Sequence, residues 1–489
     1  MSAATTTTAA PAATPAERTP PAERLAALCD PGSLRLLRTA VRSDRLGDRA
    51  VDGDGVVAAS GLVGGRPILC YAEDQGFMGG SLGGAHAASI VELLKQAERG
   101  RRPVVGLVSS AGARLQEGLA ALAGYGEIFA AMTHLSGVVP QISILSGVSA
   151  GGGAYSPALG DVVIMTRDAS MFLTGPGVVR DVMGEDVDAI SLGGAKVQSA
   201  NGVCHMVAGD EGEAALMARD LLGLLPSAAG DALPIAPPLP ALDGDPGDVV
   251  PGDPRKVYDV RDVLRRIVDD GWLLQYGELW ARNIVCAWAR VEGRPVGIVA
   301  NQPRYIGGVL DAEAAQKAAR FVRTCHLFGV PLVAFVDTPG FMPGTKQESA
   351  GVIRHGAKLV HAFAEARVPK LTVTLRKSFG GAHIAMNSKA LGADICFAWP
   401  QATLGVMGAE QAVNIVHRRH LAAAEDVAAE RATLAAAYAE EHLGAQNAAA
   451  QGYVDEVIEP SQTRDRLAAA LSVLDRTPVG EPRAGNVPL

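Results

Sequence analysis

Residues 147–160, GVSAGGGAYSPALG, contain two kinds of group that acyl chemistry uses. Ser149 is the centre of a GxSxG pattern, which at a sharp strand-to-helix turn presents a hydroxyl nucleophile. Gly151, Gly152 and Gly153 follow it. Adjacent glycines at the mouth of a helix leave successive backbone N–H groups open, because no Cβ blocks an approaching ligand. The serine reading requires an acid and then a histidine downstream to complete a triad. His205 and several acids do follow, but none lies in a recognisable loop motif. The glycine reading requires a second N–H source, and the pair would then stabilise an oxyanion, one donor typically contributing about 2.7 to 4 kcal/mol.

A second copy of the pattern bears on the choice. Gly65-Arg66-Pro67 recurs as Gly293-Arg294-Pro295, Gly79-Gly80 as Gly307-Gly308, Pro103 as Pro331 and Gly112 as Gly340, always 228 residues on. A constant offset implies two copies of one unit, without insertions between those landmarks. Further along, VSAGGGAYS (148–156) faces KSFGGAHIA (377–385), and one register pairs Gly151-Gly152-Gly153 with Gly380-Gly381-Ala382. That register puts Arg376 where the elbow pattern needs glycine. The glycines recur and the elbow does not. The loops Gly112-Ala113 and Gly340-Phe341 lie at the same end of each unit and could supply the partner N–H.

The elements that must hold these loops are the same in both copies. An apolar run (RPILCYA; RPVGIVA) precedes the double-glycine loop, and a helical pattern follows it at 88–97 and 314–326. A second buried strand (PVVGLVSS; PLVAFVDT), a helix, a third strand (QISILSG; KLTVTLRK) and the glycine turn complete the unit. Short apolar strands alternating with helices predict an α/β unit with a buried sheet. The expected organisation is a disordered leader (1–24), an N-terminal unit (25–225), a Pro/Gly/Asp-rich linker (226–254), a C-terminal unit (255–475) and a tail (476–489). An Ala-rich helix at 421–443 is expected to be a packing or lid element.

Composition narrows the function classes. A formal net charge of −8 provides no cationic field for a nucleic-acid backbone, so no nucleic-acid partner is expected. The opening stretch lacks the regions of a secretory signal, and no apolar run approaches a membrane span. The six cysteines (29, 70, 204, 286, 325 and 396) have no CxxC pair or metal-ligand spacing. They read as buried thiols of a cytoplasmic protein that holds no metal.

The motifs also carry a resemblance. Each unit resembles the crotonase fold, and the pair resembles, over residues 54–460, the carboxyltransferase (beta) subunit of biotin-dependent acyl-CoA carboxylases of the propionyl-CoA and acetyl-CoA type. SSAGARLQEG is similar to the family's DSGGARIQEG, SAGGGAYSPAL to its CAGGAVYSPAL, and VDTPGFMPGTKQE and RKSFGGAHIAMNSKALGAD follow its C-terminal half. The family has Cys or Ala at the positions of Ser149 and Ser378, so the resemblance implies that neither hydroxyl is required. It implies that Gly151 and Gly152, with Ala113, hold the thioester oxygen of a coenzyme A substrate, and that Gly381 and Ala382, with Phe341, hold the ureido oxygen of biotin. The expected reaction is CO2 transfer from carboxybiotin to the α carbon of a short-chain acyl-CoA through an enolate.

Biotin is expected on a partner, a biotinylated carrier or biotin carboxylase (alpha) subunit, because the sequence contains no MKM-type biotinylation segment. The resemblance further implies hexamers, with each active site between two subunits. His383-Ile384 stands where many propionyl-specific members have Tyr-Asp, so an apolar Ile384 implies a pocket that does not exclude other short acyl chains. Ser109 replaces the family's Asp. Arg114 and Lys196 are the candidate contacts for the CoA phosphates, while Asp337, Glu348, His355 and His361 are expected to be structural. The alternative within the same chemistry is a biotin-linked decarboxylase or transcarboxylase acting on malonyl or methylmalonyl thioesters.

Overall fold

The computed structural model describes residues 19–474 and 485–486. The first sheet comprises β1 (Arg35–Leu37), β2 (Val56–Val63), β3 (Arg66–Glu73), β4 (Val104–Ser110), β5 (Gln141–Ala150), β6 (Val162–Thr166), β7 (Ser170–Phe172) and β8 (Met206–Ala208). The second comprises β9 (Leu274–Tyr276), β10 (Ile284–Val291), β11 (Arg294–Asn301), β12 (Leu332–Thr338), β13 (Lys370–Phe379), β14 (Ile395–Ala398), β15 (Thr403–Gly405) and β16 (Glu456–Val457). Strand order in the first sheet is β1-β2-β3-β4-β5-β6-β8 with β7 on β5; in the second it is β9-β10-β11-β12-β13-β14-β16 with β15 on β13. The two orders match strand for strand.

Local chemistry accounts for the shared plan. β2 and β3 form an antiparallel hairpin across Gly64 (φ 55°) and Gly65 (φ 73°); β10 and β11 do so across Glu292 (φ 50°) and Gly293 (φ 75°). Two positive φ angles in a two-residue loop match the twist of the flanking strands. From β3 and β11 onward the pairs are parallel, and every residue of β4 and of β12 is buried, as expected for strands covered on both faces. Helices Gly84–Gly100 and Leu119–Leu135 cross over in the first unit, and Ala312–Leu327 and Val352–Glu365 in the second.

The units share a core. One apolar cluster joins Ile142, Ile144, Leu221 and Leu222 of the first to Tyr276, Trp288, Phe321 and Phe328 of the second. His205 stacks on Tyr276 at 4.4 Å, and Trp288 and Phe321 lie 4.8 Å apart. His205 is therefore a seam residue: its Nδ1 accepts from the Val163 N–H, and burial pulls its pKa down to about 3. All six cysteines are buried free thiols.

Three expectations change. Residues 1–18 of the expected leader lie outside the described residues, but helix Pro21–Leu28 begins inside it. Arg24 ties that helix down, donating to Glu211 Oε1 (2.7 Å) and Ser146 Oγ (2.9 Å). The Ala-rich segment is not one helix: Arg418–Ala423 stops, and Asp426 caps a new helix Val427–Tyr438 by accepting from Ala428 and Ala429 N–H. Most of the expected tail lies outside the described residues, yet Gly485 and Asn486 sit in the seam, where Asn486 Nδ2 donates to Thr324 Oγ1 at 2.9 Å and to Asp161 Oδ1 at 3.3 Å. The expected linker packs on both units: Ala229 N–H donates to Val138 O of the first, and further on Ala236 N–H donates to Gly293 O and Arg464 to Leu239 O in the second.

Because the core is continuous, Phe321→Ala should lower stability by about 3–5 kcal/mol and shift one cooperative unfolding transition. Chemical denaturation checks this; two separable transitions, only one of them shifted, would contradict a shared core.

Candidate active site

The first turn begins where β5 ends. Gly151 takes φ 59°, a conformation side chains disfavour, and helix Gly152–Leu159 follows. The N–H of Gly151 donates to Phe172 O on β7 at 3.1 Å. This corrects one expectation: Gly151 is the corner and not an oxyanion donor. The N–H groups of Gly152 and Gly153, at the first two helical positions, have no acceptor within the helix, but that of Gly153 donates to the Tyr125 hydroxyl, which leaves the Gly152 N–H. A Cβ on Gly152 would lie 2.6 Å from the Tyr125 ring, so packing excludes a side chain there. Ser149 is fully buried and donates through Oγ to Gly153 O at 2.8 Å, which makes it a brace on the turn.

The loop after β4 supplies a further amide. Leu82 N–H donates to Gly112 O, and Arg114 N–H donates to Leu82 O, both at 2.9 Å. Backbone alternation then turns the intervening Ala113 N–H to the opposite side. A Cβ on Gly112 (φ 99°) would meet Ala150 O at 3.3 Å, so this loop abuts the end of β5.

The second unit repeats the arrangement. Gly380 takes φ 61° and opens helix Gly380–Ala385, which carries Gly381, Ala382, His383 and Ile384. Leu310 N–H donates to Gly340 O at 3.0 Å and Met342 N–H to Leu310 O at 2.7 Å, which turns the Phe341 N–H away as at Ala113. The Phe341 ring lies beside Gly381, whose added Cβ would stand 3.6 Å away. Both sheets shift register at the same place, between Val108 and Ser110 and between Val336 and Thr338. Such irregularities re-aim the backbone beside functional sites. Ile384 is 48% exposed, and His383 Nδ1 lies 2.9 Å from Ser378 Oγ.

Arg114 corrects a second expectation. Its side chain is fully buried, with Nη1 2.6 Å from Asp54 Oδ1 and 2.8 Å from Glu117 Oε1, and Nη2 donating to Ser81 O. It faces no CoA phosphate; it anchors the loop that carries Ala113. Lys196 is exposed on helix Ala195–Ala200. Asp337 is buried and holds strand ends together through Arg376 Nε (3.1 Å) and Tyr258 OH (2.9 Å), a structural role. Glu348 and His361 are exposed, and His355 is buried beside Arg354.

Glu73 is a site neighbour that sequence reasoning missed. It lines a cavity of about 940 Å³ with Arg24, Ser109, Gly147 and Val148, next to the first turn. Its Oε2 accepts from the Ser109 N–H at 2.7 Å, and burial raises its pKa to about 7. The 228-residue offset could have exposed it, because the matching Asn301 accepts from the matching Asp337 N–H at 3.3 Å. An amide does there what an acid does here.

Two predictions follow from these buried groups. A folded pKa raised from 4.5 to about 7 favours the protonated form, so this contribution to stability is complete below 4.5 and is lost as pH rises through 7. Glu73→Gln should therefore stabilise the protein at pH 8 by a few kcal/mol, with the gain shrinking toward pH 5; a pH-independent gain in denaturation midpoints would contradict the assignment. Arg114→Ala leaves two buried carboxylates unpaired and should cost about 3–5 kcal/mol. A raised KM for a CoA thioester at unchanged stability would instead restore Arg114 as a ligand contact.

Comparison with known proteins gives the same direction. The family model described as the carboxyl transferase domain matches residues 14–486. The chain is 47% identical over 444 residues to a propionyl-CoA carboxylase carboxyltransferase subunit of Haloferax mediterranei, covering 89% of this chain and 86% of the relative. It is 46% identical over 462 residues to the methylmalonyl-CoA carboxyltransferase 12S subunit of Propionibacterium freudenreichii subsp. shermanii, covering 92% and 87%. The crystal structure of a transcarboxylase 12S hexamer, with methylmalonyl-coenzyme A and methylmalonic acid bound, superposes with a TM-score of 0.91 at 45% identity, covering 96% of this chain and 92% of that one. The chain belongs to the carboxyl transferase family.

Proposed function

We propose that the two units are copies of one crotonase-like domain, each with its own oxyanion-holding turn, and that together they move a carboxyl group between biotin and the α carbon of a short-chain acyl-CoA. The observation that carries this reading is the repetition of the turn: strand end, left-handed glycine, the opening amides of a helix and an opposed N–H at Ala113 or Phe341. On this reading Gly152, with Ala113, holds the thioester oxygen, so negative charge on the enolate falls on fixed donors that need no reorganisation. Gly381 and Ala382, with Phe341, receive the biotin ureido oxygen.

A ureido oxygen fits the second turn. The turn offers neutral donors, and Gly381 and Phe341 leave a main-chain rim beside an aromatic face. Biotin, when bound, supplies the carboxyl group and the base that moves the α-proton. The chain's own part is to orient both oxygens and hold their charge.

Exposed apolar residues flank both turns. Leu115 and Leu119 are 89% and 82% exposed beside the first, and Val406 is 75% exposed beside the second. Patches of this kind mark interaction surfaces, which supports closure of each site by another copy in a hexamer. The biotin-bearing carrier or alpha subunit is the second partner, and Lys196 remains a candidate contact for CoA phosphate. Among the described residues no helix is long and apolar enough to cross a membrane, and a cytoplasmic location fits. The half-exposed Ile384 fits an acyl pocket that accepts more than one short chain. The transcarboxylase relative favours a second reading in which the same turns work from a methylmalonyl thioester toward biotin.

Incubation with a biotinylated partner, ATP, bicarbonate and acetyl-, propionyl- and butyryl-CoA, followed by mass analysis, should yield α-carboxylated thioesters. No product from any of them, with a partner shown to be carboxylated, would overturn the reading. Gly381→Ala should fold normally, since its methyl makes only ordinary contact with Phe341. It should nevertheless lower kcat by about 10²-fold through displaced binding at the turn. Full activity would show that ligands do not approach there.

A further inference from the structure

The two turns correspond residue for residue as far as Gly153 and Ala382, and then they part. The next position is Ala154 in the first unit and His383 in the second. Their braces part as well. Ser149 closes the first turn on a main-chain acceptor, Gly153 O, at 2.8 Å. Its counterpart Ser378, buried at 1% exposure, stands 2.9 Å from His383 Nδ1.

We propose that Ser378 and His383 form a positioning pair that holds the second turn, so that the half-reaction run there depends on an imidazole while the half-reaction at the first turn does not. This rests on the assignment of the second turn to biotin made above. The hydrogen bond spans Phe379, Gly380, Gly381 and Ala382, and thus encloses both amides assigned to the ureido oxygen. Two adjacent glycines have the greatest backbone freedom of any pair, and a brace across them confines it. Packing differs in the same sense. In the first unit the Tyr125 ring sits where a Cβ of Gly152 would be, at 2.6 Å, and Tyr125 OH is itself fixed 3.1 Å from Ser110 Oγ. In the second unit a Cβ on Gly381 would still clear Phe341 by 3.6 Å. The second turn is less tightly backed, and the side-chain pair supplies the restraint. Burial lowers the His383 pKa, which keeps the ring neutral at pH 7 and leaves Nδ1 able to accept from the Ser378 hydroxyl.

The test is steady-state kinetics of the full chain with methylmalonyl-CoA as carboxyl donor and free biotin as acceptor, alongside thermal unfolding of each variant. Ser378→Ala and His383→Leu should each lower kcat by about three- to ten-fold and raise KM for biotin, the effect of losing one hydrogen bond. KM for the thioester should stay unchanged. His383→Asn, which keeps a polar atom near the place of Nδ1, should recover most of the loss. Ser149→Ala should act on the thioester side instead. Unchanged kcat in Ser378→Ala, equal shifts in both KM values, or no recovery by His383→Asn would each overturn the pair while wild-type turnover leaves the functional assignment standing. A wild type that cannot carboxylate biotin would overturn the assignment and the pair together.

Discussion

A backbone N–H at the end of a buried strand needs an acceptor, and this molecule depends on four places where strand or loop geometry leaves such groups turned outward. The corner is made by a residue that only glycine suits, at Gly151 and Gly380, both near φ 60°. β7 consumes one amide of the first corner, through Phe172 O, and the Tyr125 hydroxyl takes that of Gly153, which leaves the Gly152 N–H between them. The loops at Ala113 and Phe341 expose theirs by a different device. Each neighbour is locked into a one-residue bridge, to Leu82 in one case and Leu310 in the other, and alternation sends the middle amide the other way.

Each unit then secures that backbone with its own chemistry. The first uses a buried cation, Arg114, held by Asp54 and Glu117, to pin the loop next to Ala113. The second buries Asp337 against Arg376 and Tyr258 at the strand ends beneath Phe341. Breaking either cluster strands a buried charge, so each makes its loop conformation costly to leave. Glu73 and Asn301 show the same substitution of means: one backbone N–H is satisfied by a carboxyl in one unit and by an amide in the other. The backbone of the turns is preserved while its supports differ.

Much of this was legible in the sequence. The 228-residue offset, the strands ending at Ser110 and Thr338, and the glycine pairs at 151–152 and 380–381 were all readable from residue type and spacing, because turns and buried strands are local. What was not legible depended on partners distant in the chain. The use of the Gly151 N–H turns on the three-residue strand β7, which is too short to carry a period. The burial of Arg114 turns on Asp54, sixty positions away. Asn486 reaches a seam whose walls are Ser136, Asp161 and Thr324, and nothing in its neighbours marks it as buried. The Ala-rich segment read as one helix because alanine favours helix throughout, and the break comes from Asp426 taking up two amides as a cap.

The central claim is that main-chain amides, and no side chain, hold the reacting oxygens. A crystal structure of the chain with a non-hydrolysable acyl-CoA analogue measures it directly. The claim predicts the acyl oxygen within about 2.7–3.1 Å of the Ala113 nitrogen and of the Gly152 nitrogen. An acyl oxygen held instead by a side chain, with those amides turned to solvent, would contradict it.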